Sequence, residues 1–281
     1  MNLYFTWNVT PEIIEGWKTP NLYGLMFVTG LILGYFVVKR MFKRENMSED
    51  SLDKLVMFMV IATIVGARLG HVFFYGPYWD SVDQNGLVEH GYFSHPMDIF
   101  KVWEGGLASH GGVLAILIAL YFYSKRVVKK PMLWILDRIA APGAIGAAFI
   151  RFGNLMNSEI VGDPTNVPWA ISFPYYFNET TLMWDPTPRH PAQLYEALSY
   201  LLIFGILMFL YYKKEMYNRP GKIFGWFLIL LFSARFLVEF VKLGQTARDY
   251  ELFLNTGQLL SIPFILTGLY FAFRKTKLGD N

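Results

Sequence analysis

The sequence predicts an all-α, polytopic integral membrane protein with seven transmembrane helices, and three observations support that class. Hydrophobic residues make up 54% of the 281 residues, and the mean hydropathy is +0.31. Charged residues account for only 17%, below the share of about 25% that is usual in soluble domains. Basic residues cluster in alternate connections between apolar segments, as the positive-inside rule describes for multi-pass proteins.

Seven apolar segments are long enough to cross a bilayer, because a spanning helix needs about 20 predominantly apolar residues. In chain order they are residues 21–38, 54–75, 105–124, 132–150, 192–212, 221–241 and 257–273. The third and fourth segments contain the small-residue stretches SHGGV and APGAIGAA. Gly143 and Ala147 have the spacing that allows close helix packing, although such residues are equally compatible with simple helix breaks.

The distribution of Lys and Arg predicts the orientation of the chain. The stretches KRMFKR, SKRVVKK, KKEMYNRPGK and RKTK follow the first, third, fifth and seventh segments. The long connections 76–104 and 157–190 are poor in lysine and rich in Pro, Tyr, Trp and Asn. We therefore expect the N-terminus outside and the C-terminus in the cytoplasm. Residues 1–281 then form a single transmembrane domain, with 76–104 as an outer-face arm and 157–190 as a small outer-face head.

Composition excludes several kinds of site. The chain has no cysteine, so disulfides, thiolate metal sites and a cysteine nucleophile are excluded, and any thiol that reacts must belong to a substrate. The net charge is only +3, and no basic patch with interleaved aromatics indicates nucleic-acid binding. The N-terminus lacks the basic region and early apolar core of a cleavable signal peptide. No His/carboxylate cluster shows ligand spacing, so the sequence predicts no metal and no cofactor.

Polar side chains from all seven segments fall at one depth when the helical rise of about 1.5 Å per residue is applied to this orientation. A charge inside the bilayer costs about 2.5–3.5 kcal/mol on insertion scales, so it usually faces a cavity or a partner. Arginine forks bind phosphate bidentately where water is scarce. The convergence therefore predicts an anion site in the outer leaflet. Its candidate residues are Tyr23, Arg68, His110, Arg151, Asn154, Arg189, His190, Gln193, Tyr195, Glu196, Arg235, Glu239 and Gln258.

Simpler interpretations compete for several of these residues. Arg235 and Glu239 are spaced i, i+4 and could neutralise each other on one helix. Arg68 is interpreted as a side chain that reaches the outer headgroups. A single histidine near a helix start, such as His110, is more often a packing residue than a base. The stretch GNLMNSE could be a polar helix end with asparagine caps. Three further histidines receive no chemical role: His71, His90 and His95.

The stretch RFGNLMNSEIVG, with WEGGLASHGG before it and RHPAQLYE after it, resembles the prolipoprotein diacylglyceryl transferase family. That family is known for the pattern G-R-x-G-N-F-x-N-x-E-x-x-G. Further similarity lies in LYGLMF, GARLGHVFFY, ARFLVEF and GQLLSIP, so the resemblance follows nearly the whole chain in order. It implies transfer of a diacylglyceryl group from phosphatidylglycerol, a membrane lipid, to the lipobox cysteine thiol of a preprolipoprotein signal peptide. A thioether forms and glycerol phosphate leaves, as the first step of bacterial lipoprotein maturation.

The resemblance also implies roles for individual residues and a location. Arg151 matches the essential arginine that binds the lipid headgroup, and Arg235 matches the second essential arginine. His110 matches the histidine often proposed as the base. The implied location is the bacterial cytoplasmic (inner) membrane, with the active site facing the outer leaflet. The full phosphatidylglycerol-binding set implied by the matching motifs is Tyr23, Arg151, Asn154, Glu159, Gly162, Arg189, Arg235 and Glu239.

Four positions depart from the family pattern. Ile150 stands for Gly and Leu155 for Phe, which leaves the polar set intact. Leu231 stands where many members carry Tyr, so a mechanism that needs a hydroxyl there is in doubt. His71 replaces an aromatic residue. Two other function classes remain open: a transporter or flippase, which should show internal symmetry, and a non-catalytic lipid-binding scaffold, which would not need His110.

Overall fold

The computed structural model describes residues 4–14, 16, 20–82, 88–102, 105–178, 182–244 and 253–275. Within these residues, seven helices are long and apolar enough to cross a membrane, which confirms all seven predicted segments. They are α1 (Leu22–Arg44), α2 (Glu49–Phe74), α3 (Ser109–Tyr123), α4 (Met132–Met156), α5 (Ala192–Tyr212), α6 (Lys222–Val238) and α7 (Thr256–Phe273). Helix α3 continues as a π-helical turn, Ser124–Val128, and α6 as a 3₁₀ turn, Glu239–Val241.

Local sequence signals set two of the helix starts. The side chain of Ser48 caps α2 by accepting a backbone N–H of the first turn, where Glu49 and Asp50 also offset the positive end of the helix dipole. Asn255 and Gln258 form a reciprocal capping box at the start of α7. These caps satisfy backbone donors that would otherwise remain unpaired at the helix ends.

The chain divides into two compact units, which we call the arm unit (Phe42–Ile135) and the core unit (Met1–Met41 with Leu136–Asn281). In the arm unit, glycines allow α2 and α3 to approach closely. A methyl group at Gly70 would lie 2.7 Å from the Cα of Gly111, and one at Gly66 would lie 2.7 Å from the carbonyl oxygen of Gly111. Close packing of small residues is the usual way in which membrane helices associate.

Arg68 lies on α2 and holds the arm that follows it, so the interpretation that it reaches the lipid headgroups is wrong. It is only 5% exposed. Its Nε donates to Ile99 O at 2.9 Å and its Nη1 to Gly105 O at 2.7 Å, and the guanidinium lies 5.1 Å from the ring of Tyr92. A buried charge must be paired or hydrogen-bonded, and these backbone carbonyls supply the acceptors that Arg68 needs.

The arm also contains a His/carboxylate cluster that the sequence did not predict. Strands β2 (Ser81–Val82) and β3 (Val88–Glu89) form an antiparallel hairpin. Around it, Asp80, His90 and His95 place potential ligand atoms within 4.8 Å of one another. The sequence predicted no metal because no His/carboxylate cluster has ligand spacing along the chain, and these three residues indeed match no metal motif. The hairpin nevertheless brings them together in space, which spacing along the chain could not indicate.

The core unit is packed around an alanine-rich face of α4. Ala141, Ala144 and Ala148 are fully buried and share a core with Tyr200 and Leu207 of α5. The predicted close approach at Gly143 is not observed, because the neighbouring atoms within 4 Å belong to the ring of Phe227. Close backbone contact occurs instead between α6 and α7, where a methyl group at Gly225 would lie 2.5 Å from the backbone nitrogen of Ala272.

Within the core unit, residues of the predicted head form small β-sheets. Strand β4 (Ile171–Ser172) pairs in parallel with β1 (Phe5–Thr6) and antiparallel with β7 (Pro188–Arg189). Strands β5 (Phe177–Asn178) and β6 (Met183–Trp184) form a hairpin. The N-terminal strand therefore completes the sheet of the head. The buried residues beneath these strands are Leu155, Val161, Ile171 and Phe173.

Candidate active site

The end of α4 folds back on itself and joins three residues of the central motif. Arg151 Nη1 donates to Asn154 Oδ1 at 2.9 Å, and Asn154 Nδ2 donates to Glu159 Oε1 at 2.8 Å. Arg151 and Asn154 are neighbours on one helical face because they are three residues apart. Ser158 and Ile160 then adopt positive φ angles of 53° and 56°, which reverse the chain and return Glu159 to the helix. A β-branched residue rarely adopts this conformation, so the surrounding contacts must hold it there.

The interpretation of GNLMNSE as a simple capped helix end therefore does not describe this segment. Both of its asparagine side chains donate to the carboxylate of Glu159, because Asn157 Nδ2 also donates to Glu159 Oε1, at 3.3 Å. The backbone carbonyl of Glu159 accepts a hydrogen bond of 2.6 Å from Gln193 Nε2 of α5. The segment is thus tied to a second helix through a fully buried side chain.

Helix α5 supplies the counter-charge for Arg151. The Nε atom of Arg151 lies 2.7 Å from Glu196 Oε2, and the side chain of Glu196 is fully buried. The hydroxyl of Tyr200 donates to the other carboxylate oxygen at 3.1 Å. Among the described residues only Asn154 accepts a hydrogen bond from Arg151, and Nε faces the Glu196 carboxylate. The other N–H groups, on Nη1 and Nη2, are therefore available to a bound anion.

The second predicted arginine carries a less neutralised charge. Arg235 Nε lies 3.8 Å from Glu239 Oε1, beyond hydrogen-bonding distance, and Arg235 is 32% exposed. Lys242 Nζ is closer to the same carboxylate oxygen, at 3.1 Å. Asn255 Nδ2 donates to the other oxygen at 3.3 Å. Glu239 is therefore shared, and the hypothesis that Arg235 and Glu239 simply neutralise each other does not fit this geometry. The charges of Arg151 and Arg235 both act on the hydroxyl of Tyr200.

Tyr23 of α1 packs directly against the end of α4. A methyl group at Gly153 would lie 2.9 Å from Cδ2 of the Tyr23 ring, so the glycine provides the space that the ring occupies. The phenol lies within electrostatic reach of Arg151 and Glu159. A cleft of about 330 Å³ opens beside this point, lined by Pro11, Glu12, Asn21, Asn157 and Glu159.

Gly162 and Arg189 are structural elements of the head. Gly162 N donates to His190 O at 2.9 Å, and a methyl group at Gly162 would lie 2.6 Å from that oxygen. Arg189 is 3% exposed, contacts the Asp185 carboxylate, donates to Gly162 O at 3.3 Å and lies 4.9 Å from the ring of Tyr176. Burial raises the pKa of Asp185, but hydrogen bonds from Thr187 and Arg189 outweigh it and lower the pKa to about 2.

His110 lies in the arm unit, in the first turn of α3. Its exposed ring stands 5.6 Å from the ring of Phe74 and 5.4 Å from that of Tyr75. It lines a cavity of about 350 Å³. His71, the departure from the family pattern, lines the same cavity and stacks on Tyr75.

Two residues of this site are missing from the lipid-binding residues that the family resemblance implied. Glu196 and Tyr200 face Arg151 from α5, although only Glu196 lies within the run RHPAQLYE. Their i, i+4 spacing places them on one helical face, and that spacing was a signal present in the sequence. Their partner could not be identified without the tertiary structure.

Comparison with known proteins agrees with these observations. The sequence profile described as prolipoprotein diacylglyceryl transferase matches residues 14–274. A phosphatidylglycerol–prolipoprotein diacylglyceryl transferase of Chloroherpeton thalassium is 42% identical over 275 residues, covering 98% of this chain and 95% of the relative. Proteins of the same name from Porphyromonas gingivalis and Tolumonas auensis are 42% and 40% identical, covering 98% and 94% of the chain and 95% and 94% of those relatives. The chain therefore belongs to the prolipoprotein diacylglyceryl transferase family.

Proposed function

We propose that this protein transfers the diacylglyceryl group of phosphatidylglycerol to the lipobox cysteine thiol of a preprolipoprotein. Family membership supports the reaction, and the relatives carry names that state both substrates. The observation that carries the proposal is the state of Arg151. It is held by Glu196 and Asn154 while part of its guanidinium remains available. Asn154 also donates to Glu159, which lines the neighbouring cleft. Such a fork suits the phosphate of a lipid headgroup.

The reaction breaks the bond between the lipid's glycerol carbon and the phosphate oxygen. The thiolate sulfur bonds to that carbon, and glycerol phosphate leaves with the electron pair on oxygen. Negative charge therefore grows on the phosphate as the bond breaks. Fixed positive charge at Arg151 and Arg235 stabilises that growth, and an oriented donor of this kind is worth about 10²–10³ in rate.

The two arginines divide this work. Arg151 is oriented by a buried carboxylate and by Asn154, which suits positioning of the headgroup. Arg235 is more exposed and shares Glu239 with Lys242, so it contributes net positive charge to the departing phosphate. Asn154, Glu159 and Tyr23 complete the lipid-binding set.

The thiol must lose its proton before it attacks. A thiol with a pKa of about 8.5 is mostly protonated at neutral pH, so a base raises the thiolate fraction. We assign that role to His110, whose exposed ring lines an open cavity. The proton then resides on the imidazole until solvent removes it.

Arg189, Gly162 and Glu239 support the lipid-binding residues through backbone and buried contacts. Arg189 contacts Asp185 and Gly162 O, which fixes the segment that follows Glu159. Glu239 pairs with Lys242 and accepts a hydrogen bond from Asn255, which caps the start of α7. In this proposal the three residues position the lipid-binding side chains, and Arg189 does not itself contact the lipid.

The proposal includes a location. The protein sits in the bacterial cytoplasmic (inner) membrane as one transmembrane domain over 1–281, with the N-terminus outside and the active site toward the outer leaflet. The arm (76–104) and the head (157–190) are insertions at the outer face. The alternating basic stretches support this orientation.

The test uses the purified full-length protein with phosphatidylglycerol and a lipobox peptide, followed by mass measurement of the peptide. The expected result is a mass gain of one diacylglyceryl group, together with release of glycerol phosphate. A peptide with Ser in place of the lipobox cysteine serves as the control and should stay unmodified. Binding or transbilayer movement of the lipid without peptide modification would favour the scaffold or the flippase instead.

A further inference from the structure

A His/carboxylate cluster stands in the arm unit, outside the residues assigned to the reaction. His95 Nε2 lies 3.2 Å from Asp80 Oδ2, and His90 Nδ1 lies 3.8 Å from Asp80 Oδ1. The two imidazole rings are 4.4 Å apart between centroids. All three side chains are exposed, and one potential ligand atom of each lies within 4.8 Å of the other two.

The backbone of the hairpin creates this arrangement. Ser81 is paired with Glu89 across the hairpin, which places Asp80 and His90 opposite each other at its open end. The N–H of Gly91 donates to Asp80 Oδ1 at 2.8 Å and orients the carboxylate. A turn closed by the hydrogen bond from His95 N to Gly91 O, 2.9 Å long, then brings the second imidazole back to the same carboxylate.

This donor set and its dimensions suit a transition-metal ion. Zn²⁺ binds imidazole nitrogen and carboxylate oxygen at about 2.0–2.2 Å, so two ligand atoms in a tetrahedral site are about 3.4 Å apart. The separations from Asp80 are 3.2 Å, from Oδ2 to His95 Nε2, and 3.8 Å, from Oδ1 to His90 Nδ1, so each imidazole faces a different carboxylate oxygen at close to that spacing. The third separation joins the ligand nitrogens of His90 and His95, and small rotations of the exposed imidazoles bring it to the same value. Mg²⁺ and Ca²⁺ prefer oxygen ligands, and two imidazoles disfavour both ions.

We propose that Asp80, His90 and His95 bind one Zn²⁺ ion that fastens the β2–β3 hairpin to the turn after it. The three side chains leave a fourth position for water. The ion links the residue before the hairpin with two residues that follow it, so binding favours the folded arm over its open forms. The backbone hydrogen bond from Gly91 orients the carboxylate in the way that outer-shell partners orient metal ligands.

The test is zinc binding by the full-length protein, purified in detergent through a tag that lacks histidine and freed of metal with a chelator. Zn²⁺ is titrated in competition with a chromogenic chelator. Wild type should bind one equivalent, and His90→Gln and His95→Gln should each weaken binding by about 100-fold, because loss of a direct ligand costs at least as much as loss of its outer-shell partner. His190→Gln is the matched control and should bind like wild type.

A second variant separates metal binding from folding of the hairpin. Asp80→Asn keeps an oxygen that accepts the Gly91 N–H but removes the charge, so the hairpin should persist while zinc binding weakens. Co²⁺ in place of Zn²⁺ should give the visible absorption of a tetrahedral site in wild type only. The proposal is overturned if wild type takes up no zinc at micromolar concentrations, or if the His90→Gln/His95→Gln double variant binds zinc as tightly as wild type.

Discussion

Arg151 and Glu196 form an ion pair between α4 and α5, with Arg151 Nε 2.7 Å from Glu196 Oε2. The carboxylate is fully buried, and Tyr200 donates to its other oxygen. A buried ion pair contributes little net stability but fixes orientation, because leaving either charge alone in the interior is costly. We therefore interpret Glu196 as the residue that sets the direction of the Arg151 fork.

Glu196→Gln tests that interpretation. The amide keeps the shape and can still accept from Tyr200, but it removes the charge that holds Arg151. We expect kcat/KM for phosphatidylglycerol to fall by about tenfold to 100-fold, as for loss of an outer-shell partner. Glu215→Gln, at an exposed position, should leave kcat/KM unchanged. A Glu196→Gln protein with a lower melting temperature but wild-type kcat/KM would make Glu196 a stability residue only.

Arg151→Lys keeps the positive charge but loses the planar fork. We expect about a 100-fold loss of kcat/KM from the lost donors. Arg151→Ala should lose about tenfold more and should also bind phosphatidylglycerol vesicles more weakly. Arg126→Lys, on an exposed guanidinium beside Phe122, is the matched control and should retain full activity. Normal turnover by Arg151→Ala would remove Arg151 from the mechanism.

His110→Gln keeps a hydrogen-bonding side chain but cannot accept a proton at neutral pH. If His110 is the base, the variant's kcat/KM should rise with pH toward the pKa of the peptide thiol, since hydroxide then supplies thiolate. The measurement is the pH dependence of kcat/KM for both proteins with one lipid and one peptide. If the two pH profiles superimpose, His110 is not the base and its role is in lipid binding.

Asp185→Asn should destabilise the head. The pKa of Asp185 is lowered from 3.8 to about 2, which corresponds to about 2 kcal/mol of stability at neutral pH. A lowered pKa gives stability that is present above pH 3.8 and is lost as the pH falls through about 2. The variant should therefore melt several degrees below wild type at pH 7, and the difference should shrink below pH 4. Asp53→Asn, at an exposed position of α2, should change the melting temperature little. Equal melting temperatures for Asp185→Asn and wild type at pH 7 would contradict the assigned role.

The proposed orientation can be tested because the chain has no cysteine. Single cysteines at Lys125 and Asn166, both exposed positions, supply unique labelling sites. In intact cells an impermeant maleimide should label Asn166→Cys, and Lys125→Cys should react only after the membrane is made permeable. Outside labelling of both variants would exclude this orientation.

The sequence alone determined the seven helices and the family. Runs of apolar residues can satisfy their backbone hydrogen bonds in lipid only as helices, so composition and length settle those elements locally. The family motif follows from residue order, which needs no coordinates. Arg151 and Asn154 could also be paired from sequence, because helical spacing alone makes them neighbours.

Only the tertiary structure decided which residues share a partner across the fold. It joined Arg151 to Glu196 of α5, closed the head with Phe5–Thr6, and surrounded Arg68 with carbonyls of the arm. It also placed Asp80 beside His95. These contacts depend on packing between segments that are far apart in the chain, and a buried charge takes whichever partner that packing supplies. Local patterns describe one helix or one turn, so they cannot identify that partner.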